Sequence, residues 1–257
     1  MTADAIVRLK ITLDDVEPKV LRRIEVPLAI KLDRLHLTLQ AALGWTNSHL
    51  YEIRAGDMGW GFPDPDWPDG PLDARKTKLI DILEDVHVKT LRYLYDFGDG
   101  WEHTLKIERL VDSEPGVLYP RLIDASGRCP PEDVGGPWGY AEMLDAINDP
   151  KHERHAEIRE WLAEDFDPHA VDTDALSGDV AALAKKMVAQ TLDKTSALNL
   201  TAVLTRGLHF SHWRRRLVKP SCSVCRARGA NFRRKARCGG RCEQGGPGSR
   251  RHRLGRL

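Results

Sequence analysis

Apolar and polar side chains alternate imperfectly from residue 6 onward, with Ile6, Leu9, Ile11 and Leu13 marking one face of a strand. DDVEPK then reads as a turn and VLRRIEVP as the returning strand. The period changes at Leu32. Leu32, Leu35, Leu39 and Leu43 recur at helical spacing, and Gly44 stands where a helix would stop. HLYEIRA resumes the strand pattern. Two strands, a helix and a further strand predict the opening of a β-grasp-like α+β domain.

Residues 58–71, MGWGFPDPDWPDGP, hold four prolines and three glycines, a density that predicts an ordered loop or flap pinned by Trp60, Phe62 and Trp67. KTKLIDILED predicts a short helix. Past residue 110 the pattern is irregular until GYAEMLDAINDP, where Tyr140, Met143, Leu144 and Ile147 form one helical face. HERHAEIREWLAED and TDALSGDVAALAKKMVAQ predict two more helices. The sum is a mixed sheet with helices packed on it, one domain over residues 1–190.

The densest chemistry lies in YLYDFGDGWEH, residues 93–103. Leu91, Tyr93, Tyr95 and Phe97 share one strand face, and Trp101, His103, Leu105 and Ile107 share one face of the next. A three-residue loop, Gly98-Asp99-Gly100, pairs Phe97 with Trp101 and Tyr95 with His103, so the bulky residues lie together. Asp96 and Glu102 then become neighbours on the other face, with Asp99 above them. Like charges so placed call for a cation, an Arg or Lys from elsewhere, a raised carboxyl pKa of the kind acid–base catalysis uses, or bonds from Asp96 and Asp99 to turn amides.

Three further groups carry candidate chemistry. Glu132 and Asp133 precede a Gly-Gly-Pro turn and a helix start, where they would face a ligand or cap amides. His152 and His155 begin a helix at a spacing that can share a metal or serve as surface and capping histidines. His36 and His49 flank the first helix, where packing or hydrogen bonding is expected rather than ligation. If the three segments converge, Asp96, Asp99, Glu102, Glu132, Asp133 and His152 line an acidic groove suited to magnesium or manganese. Such a groove would serve a metal-dependent hydrolase or nuclease-like reaction.

Charge divides the chain in two. Residues 1–190 carry 22 Lys and Arg against 36 Asp and Glu, whereas residues 211–257 carry 15 Lys and Arg and one acid, Glu243. The acidic body is poorly suited to unaided polyanion binding. The segment 191–257 is a basic, irregular C-terminal tail with Cys222, Cys225, Cys238 and Cys242 at a spacing that fits a four-thiolate zinc site among arginines, a zinc-ribbon-like nucleic-acid-binding appendage. Its thin apolar content favours instead a disordered basic tail, or translation past a frameshift. No long uncharged apolar run and no signal-peptide pattern occur, so the expectation is a cytoplasmic protein without a membrane partner.

YLYDFGDGWEHTLKIE, YPRLIDASGRCPPEDVGGPWGY and DPKHERHAEIREWLAEDFDPHAVD, in that order, resemble the plasmid pRiA4b ORF-3-like family, also labelled the passenger or resolvase-like protein of an insertion element. The resemblance covers about residues 4–190 and implies an α+β accessory protein of mobile-element type, a binding or interaction module of unestablished activity. A serine-recombinase role is not supported: Ser48, Ser113, Ser126 and Ser177 lack supporting arginines. Many relatives carry a second cysteine soon after YPR, where this chain has Leu122 and Ile123. The lone Cys129 is expected to be a small buried residue rather than a nucleophile.

Overall fold

A computed structural model describes residues 5–162 and 165–192. In chain order the elements are β1 (Ile6–Leu13), β2 (Leu21–Pro27), α1 (Leu32–Leu43), β3 (Tyr51–Ala55), β4 (Met58–Gly61) and β5 (Leu72–Asp73). There follow α2 (Leu79–Asp85), β6 (Thr90–Tyr95), β7 (Trp101–Val111), β8 (Arg121–Ser126), α3 (Gly136–Asn148) and α4 (His155–Leu162). A last helix, α5, spans 173–192. The strands form one sheet in the order β5-β4-β3-β6-β7-β1-β2-β8. Every pairing is antiparallel except β4 with β5, so the sheet is mixed and the class is α+β, as expected.

The imperfect alternation of β1 has a physical cause. Its register on β7 slips between Arg8 and Leu9, leaving Glu108 without an opposite residue, and Ile6, Val7 and Leu9 are all buried. α1 buries the Leu32, Leu35, Leu39 and Leu43 stripe and stops at Gly44, whose φ of 83° is the left-handed end that glycine accepts readily. Trp45, at the exit of α1, is buried against the sheet, stacked on Tyr95 with 5.2 Å between ring centroids. Its ring edge also meets His103.

Three expectations are corrected. Within 58–71, Met58–Gly61 is a strand rather than loop. A Cβ on Gly59 would fall 1.9 Å from the Glu52 side chain and one on Gly61 would fall 2.6 Å from the Tyr51 carbonyl, so these glycines permit close approach to β3 instead of breaking the strand. Trp60 is buried there, but Phe62 and Trp67 are more than half exposed and do not pin the flap. Past residue 110, β8 adds an edge strand to β2 that the irregular pattern did not reveal.

The third correction is the hairpin register. Tyr95 pairs with Trp101 and Tyr93 with His103, which leaves a five-residue loop from Asp96 to Gly100, closed by the Gly100 amide on the Asp96 carbonyl at 2.7 Å. The slip is two residues relative to the three-residue loop. Because side chains alternate with period two, both registers bury the same faces, and alternation alone cannot choose between them. Phe97 is 50% exposed as a result. The choice is made by Asp96, which takes φ 55° and accepts the amides of Gly98 and Asp99 on Oδ1.

Candidate metal centre

Three segments far apart in sequence meet at the tip of the β6–β7 hairpin: the exit loop of α1, the hairpin loop itself and the turn before α3. The contact is backbone against backbone. A Cβ on Gly136 would lie 2.2 Å from the Asp99 carbonyl oxygen, and Asp99 Oδ2 accepts the Gly135 amide at 3.2 Å. The turn is left-handed at Asp133 (φ 61°), Gly135 (φ 96°) and Gly136 (φ 69°), the conformation that folds it onto the hairpin.

Tyr95 ties the same three segments from below. Its hydroxyl donates to Glu132 Oε1 at 2.6 Å and accepts the amides of Ser48 at 2.9 Å and His49 at 3.3 Å. Glu132 Oε2 accepts the Thr46 amide and hydroxyl at 2.9 and 2.6 Å. Burial, and then the Glu132 carboxylate, push the Tyr95 phenol well above its ordinary range, so it stays a donor. Beneath lies a second network. His36 Nδ1 lies 2.9 Å from the Tyr93 hydroxyl, its Nε2 meets Asn47 Oδ1, and its ring stacks on Tyr51 at 3.5 Å. Burial pulls the His36 imidazole down to about 4, so it is a neutral scaffold group.

On this platform His49 stands between two carboxylates. Its Nδ1 is 3.5 Å from Asp96 Oδ2, and its Nε2 is 3.3 Å from Asp133 Oδ1. The Nε2 atom is buried and makes no hydrogen bond. One ligand atom from each of His49, Asp96 and Asp133 lies within 4.8 Å of the others. An imidazole and two carboxylates form a donor set suited to a divalent ion of borderline hardness. Both Asp96 and Asp133 hold positive φ, uncommon for any residue but glycine, so the fold maintains a backbone conformation that aims them at His49.

The residues expected in an acidic groove are thus distributed. Asp96 and Asp133 reach the cluster. Asp99 and Glu132 flank it with their oxygens engaged in the hydrogen bonds given above. Neither Glu132 nor Asp133 caps α3, whose N-cap is Gly135 without a side-chain bond. Glu102 does not join them: it sits opposite Leu94 and pairs with Arg54 of β3 at 2.9 Å. His152 is placed in the turn before α4, where Nδ1 accepts the Arg154 amide, and His155 Nδ1 lies 2.6 Å from the Ala146 carbonyl oxygen. His49, expected only to pack or hydrogen-bond, is the residue that sequence reasoning missed. Its position at the head of the HLYEIRA pattern, two residues before β3, was the available signal, since strand ends carry exposed functional groups. Cys222, Cys225, Cys238 and Cys242 lie outside the described residues. Among the described residues no helix is long and apolar enough to cross a membrane.

A model of the plasmid pRiA4b ORF-3-like protein family matches residues 5–175. The chain is 54% identical over 192 residues to the uncharacterized protein y4hQ of Sinorhizobium fredii (strain NBRC 101917 / NGR234), covering 74% of this chain and 98% of that one. It is also similar to the crystal structure of MM3350, a protein of unknown function from Methanosarcina mazei Go1, with a TM-score of 0.61 and 32% identity, over 67% of this chain and 98% of that chain. On residue pattern and on the family match over residues 5–175, the chain belongs to the plasmid pRiA4b ORF-3-like protein family.

Proposed function

We propose that this member of the family is a metal-binding module whose working site is the His49–Asp96–Asp133 cluster, taking a single divalent cation of the manganese type. The observation that carries the reading is the meeting of three ligand atoms within 4.8 Å from three separate segments. The buried Nε2 of His49 supports it: it lies 3.3 Å from Asp133 Oδ1 without making a hydrogen bond, and a cation shared by the two would bind both. Manganese accepts both imidazole nitrogen and carboxylate oxygen, whereas magnesium prefers oxygen alone.

Three protein ligands leave coordination positions for water, the arrangement of catalytic rather than structural centres, and this favours metal-assisted hydrolysis as the reaction class. Asp133, 72% exposed at its side chain, puts the open side toward solvent.

Isothermal titration of the full-length protein with Mn2+, Mg2+ and Zn2+ tests the reading. One Mn2+ per chain is expected, weakened at least about tenfold in His49→Ala and in Asp133→Asn. No heat and no thermal shift from any of the three ions would refute it. Mn2+-dependent hydrolysis of bis-p-nitrophenyl phosphate, lost in the same variants, tests the reaction class.

A further inference from the structure

Strand β2 buries two opposite charges three residues apart, Arg22 and Glu25, each 1% exposed. Glu25 is matched by two guanidiniums, Arg8 at 2.6 Å and Arg121 at 2.7 Å. Arg22 is not matched: among the described residues no carboxylate lies within 4.0 Å of it. Its Nε donates to the Ala42 carbonyl at the end of α1, and its Nη1 donates among the carbonyls of Leu21, Ser126 and Gly127. Its Nη2 meets only Cys129 Sγ, at 3.5 Å. Carbonyl dipoles and a helix C-terminus favour the cation but supply no full negative charge. A buried cation without a counter-ion is costly. Counting hydrogens, Nη2 carries two, and the described residues give it one weak sulfur acceptor.

Arg22 and Cys129 both line a cavity of about 850 Å³. The volume lies in the range that encloses small organic ligands. Leu43, Trp45, Phe166 and Leu176 supply apolar wall, and the Arg128 guanidinium stacks over the Phe166 ring at 4.6 Å. Two carboxylates also line it. Glu132 already accepts from Tyr95 and Thr46, and Asp172 Oδ1 accepts the Ala175 amide.

We propose that this cavity binds a small organic monocarboxylate, its head on Arg22 Nη2 beside Cys129 and its apolar body between Trp45, Phe166 and Leu176. The donor count selects the head. One strong N–H and one thiol satisfy a carboxylate oxygen, whereas a phosphate would enter with most of its oxygens unsatisfied. The body follows from the apolar wall, which would leave a purely polar anion such as formate unsolvated. The site shares only Glu132 with the residues around the cation cluster and does not depend on metal binding there.

Titration of the full-length protein with decanoate, followed by tryptophan fluorescence and calorimetry, tests the proposal. Decanol serves as the uncharged analogue and inorganic phosphate as the bare anion. The expected result is one decanoate per chain and a raised Tm, with decanol at least about tenfold weaker, the worth of one charge-assisted hydrogen bond. Ala175→Trp, at an exposed position of α5 that lines the cavity, should abolish binding while leaving circular dichroism unchanged. Arg22→Met should bring decanoate down to the level of decanol; if that variant does not fold, Ala175→Trp still decides. Equal binding of decanol and decanoate, binding of phosphate alone, or full decanoate binding by Ala175→Trp would each overturn the proposal.

Discussion

Tyr95 and Glu132, 37 residues apart, share a hydrogen bond of 2.6 Å that joins the last residue of β6 to the turn before α3. The same hydroxyl receives two amides of the α1 exit loop, so one oxygen holds together the three segments that carry His49, Asp96 and Asp133.

Tyr95→Phe should therefore cost more than one ordinary hydrogen bond. It leaves the Ser48 and His49 amides and one Glu132 oxygen without this partner, and a loss of about 1–3 kcal/mol is expected in urea denaturation. In a double-mutant cycle with Glu132→Gln, the two losses should fall short of additivity, because both changes break the same bond. Fully additive losses would contradict the shared network.

Acid should weaken the fold in a defined window. Burial holds both His36 and His103 at about 4, against an unfolded value of 6.5. Above 6.5 both are neutral in either state and contribute no pH dependence. As pH falls from 6.5 toward 4 the unfolded chain takes up protons that the folded chain refuses, so stability decreases. The loss is on the order of 3 kcal/mol per histidine across the window. His103→Asn, compared with the wild type in urea midpoints at pH 7, 6 and 5, should flatten the slope by about half. An unchanged slope would mean that His103 is not the proton acceptor.

Gly136→Ala should disrupt the site through the backbone. The position has φ 69°, and a Cβ would meet the Asp99 carbonyl oxygen at 2.2 Å, so the hairpin tip must retreat. Destabilisation of about 1–3 kcal/mol is expected, together with weakened Mn2+ binding although no ligand is changed. Gly116→Ala, also at positive φ but with nothing within 4 Å, should leave Mn2+ binding intact. Calorimetry on the two variants separates strain from collision.

The Glu25 cluster sets a second, lower acid limit. Burial alone would raise the Glu25 carboxyl, but the Arg121 and Arg8 guanidiniums outweigh it and hold it below the ordinary 4.5. Its contribution is complete above 4.5 and fades as pH falls below that value, starting at the foot of the histidine window. Glu25→Gln should lower stability at pH 7 by about 1–3 kcal/mol, moderated because Arg8 and Arg121 keep some access to water. Equilibrium unfolding at pH 7 and pH 4 checks both the size and the direction.

Much of this architecture was legible in the chain. The Leu32–Leu43 stripe, the Gly44 stop and the strands on either side follow from periodicity, because burial of one face imposes period 3.6 on a helix and period two on a strand. The hairpin faces were legible for the same reason. Its register was not, since a two-residue slip preserves the faces and the outcome rests on Asp96 binding its own loop amides. β4 was hidden because glycines that allow close approach to β3 read as turn residues in isolation.

The candidate site divides in the same way. Sequence alone determined that Asp99, Glu132 and Asp133 lie in or beside tight, glycine-flanked turns, because local backbone chemistry is written in neighbouring residues; that the hairpin loop also takes in Asp96 was decided by register. Only the tertiary structure decided that Asp96 and Asp133 face one imidazole, that the imidazole is His49, and that Glu102 turns away to Arg54. Those outcomes depend on the meeting of segments well separated along the chain, set by sheet register and by backbone contacts such as Asp99 against Gly136. Local sequence specifies which groups are available; the packing of distant elements fixes which of them share a charge.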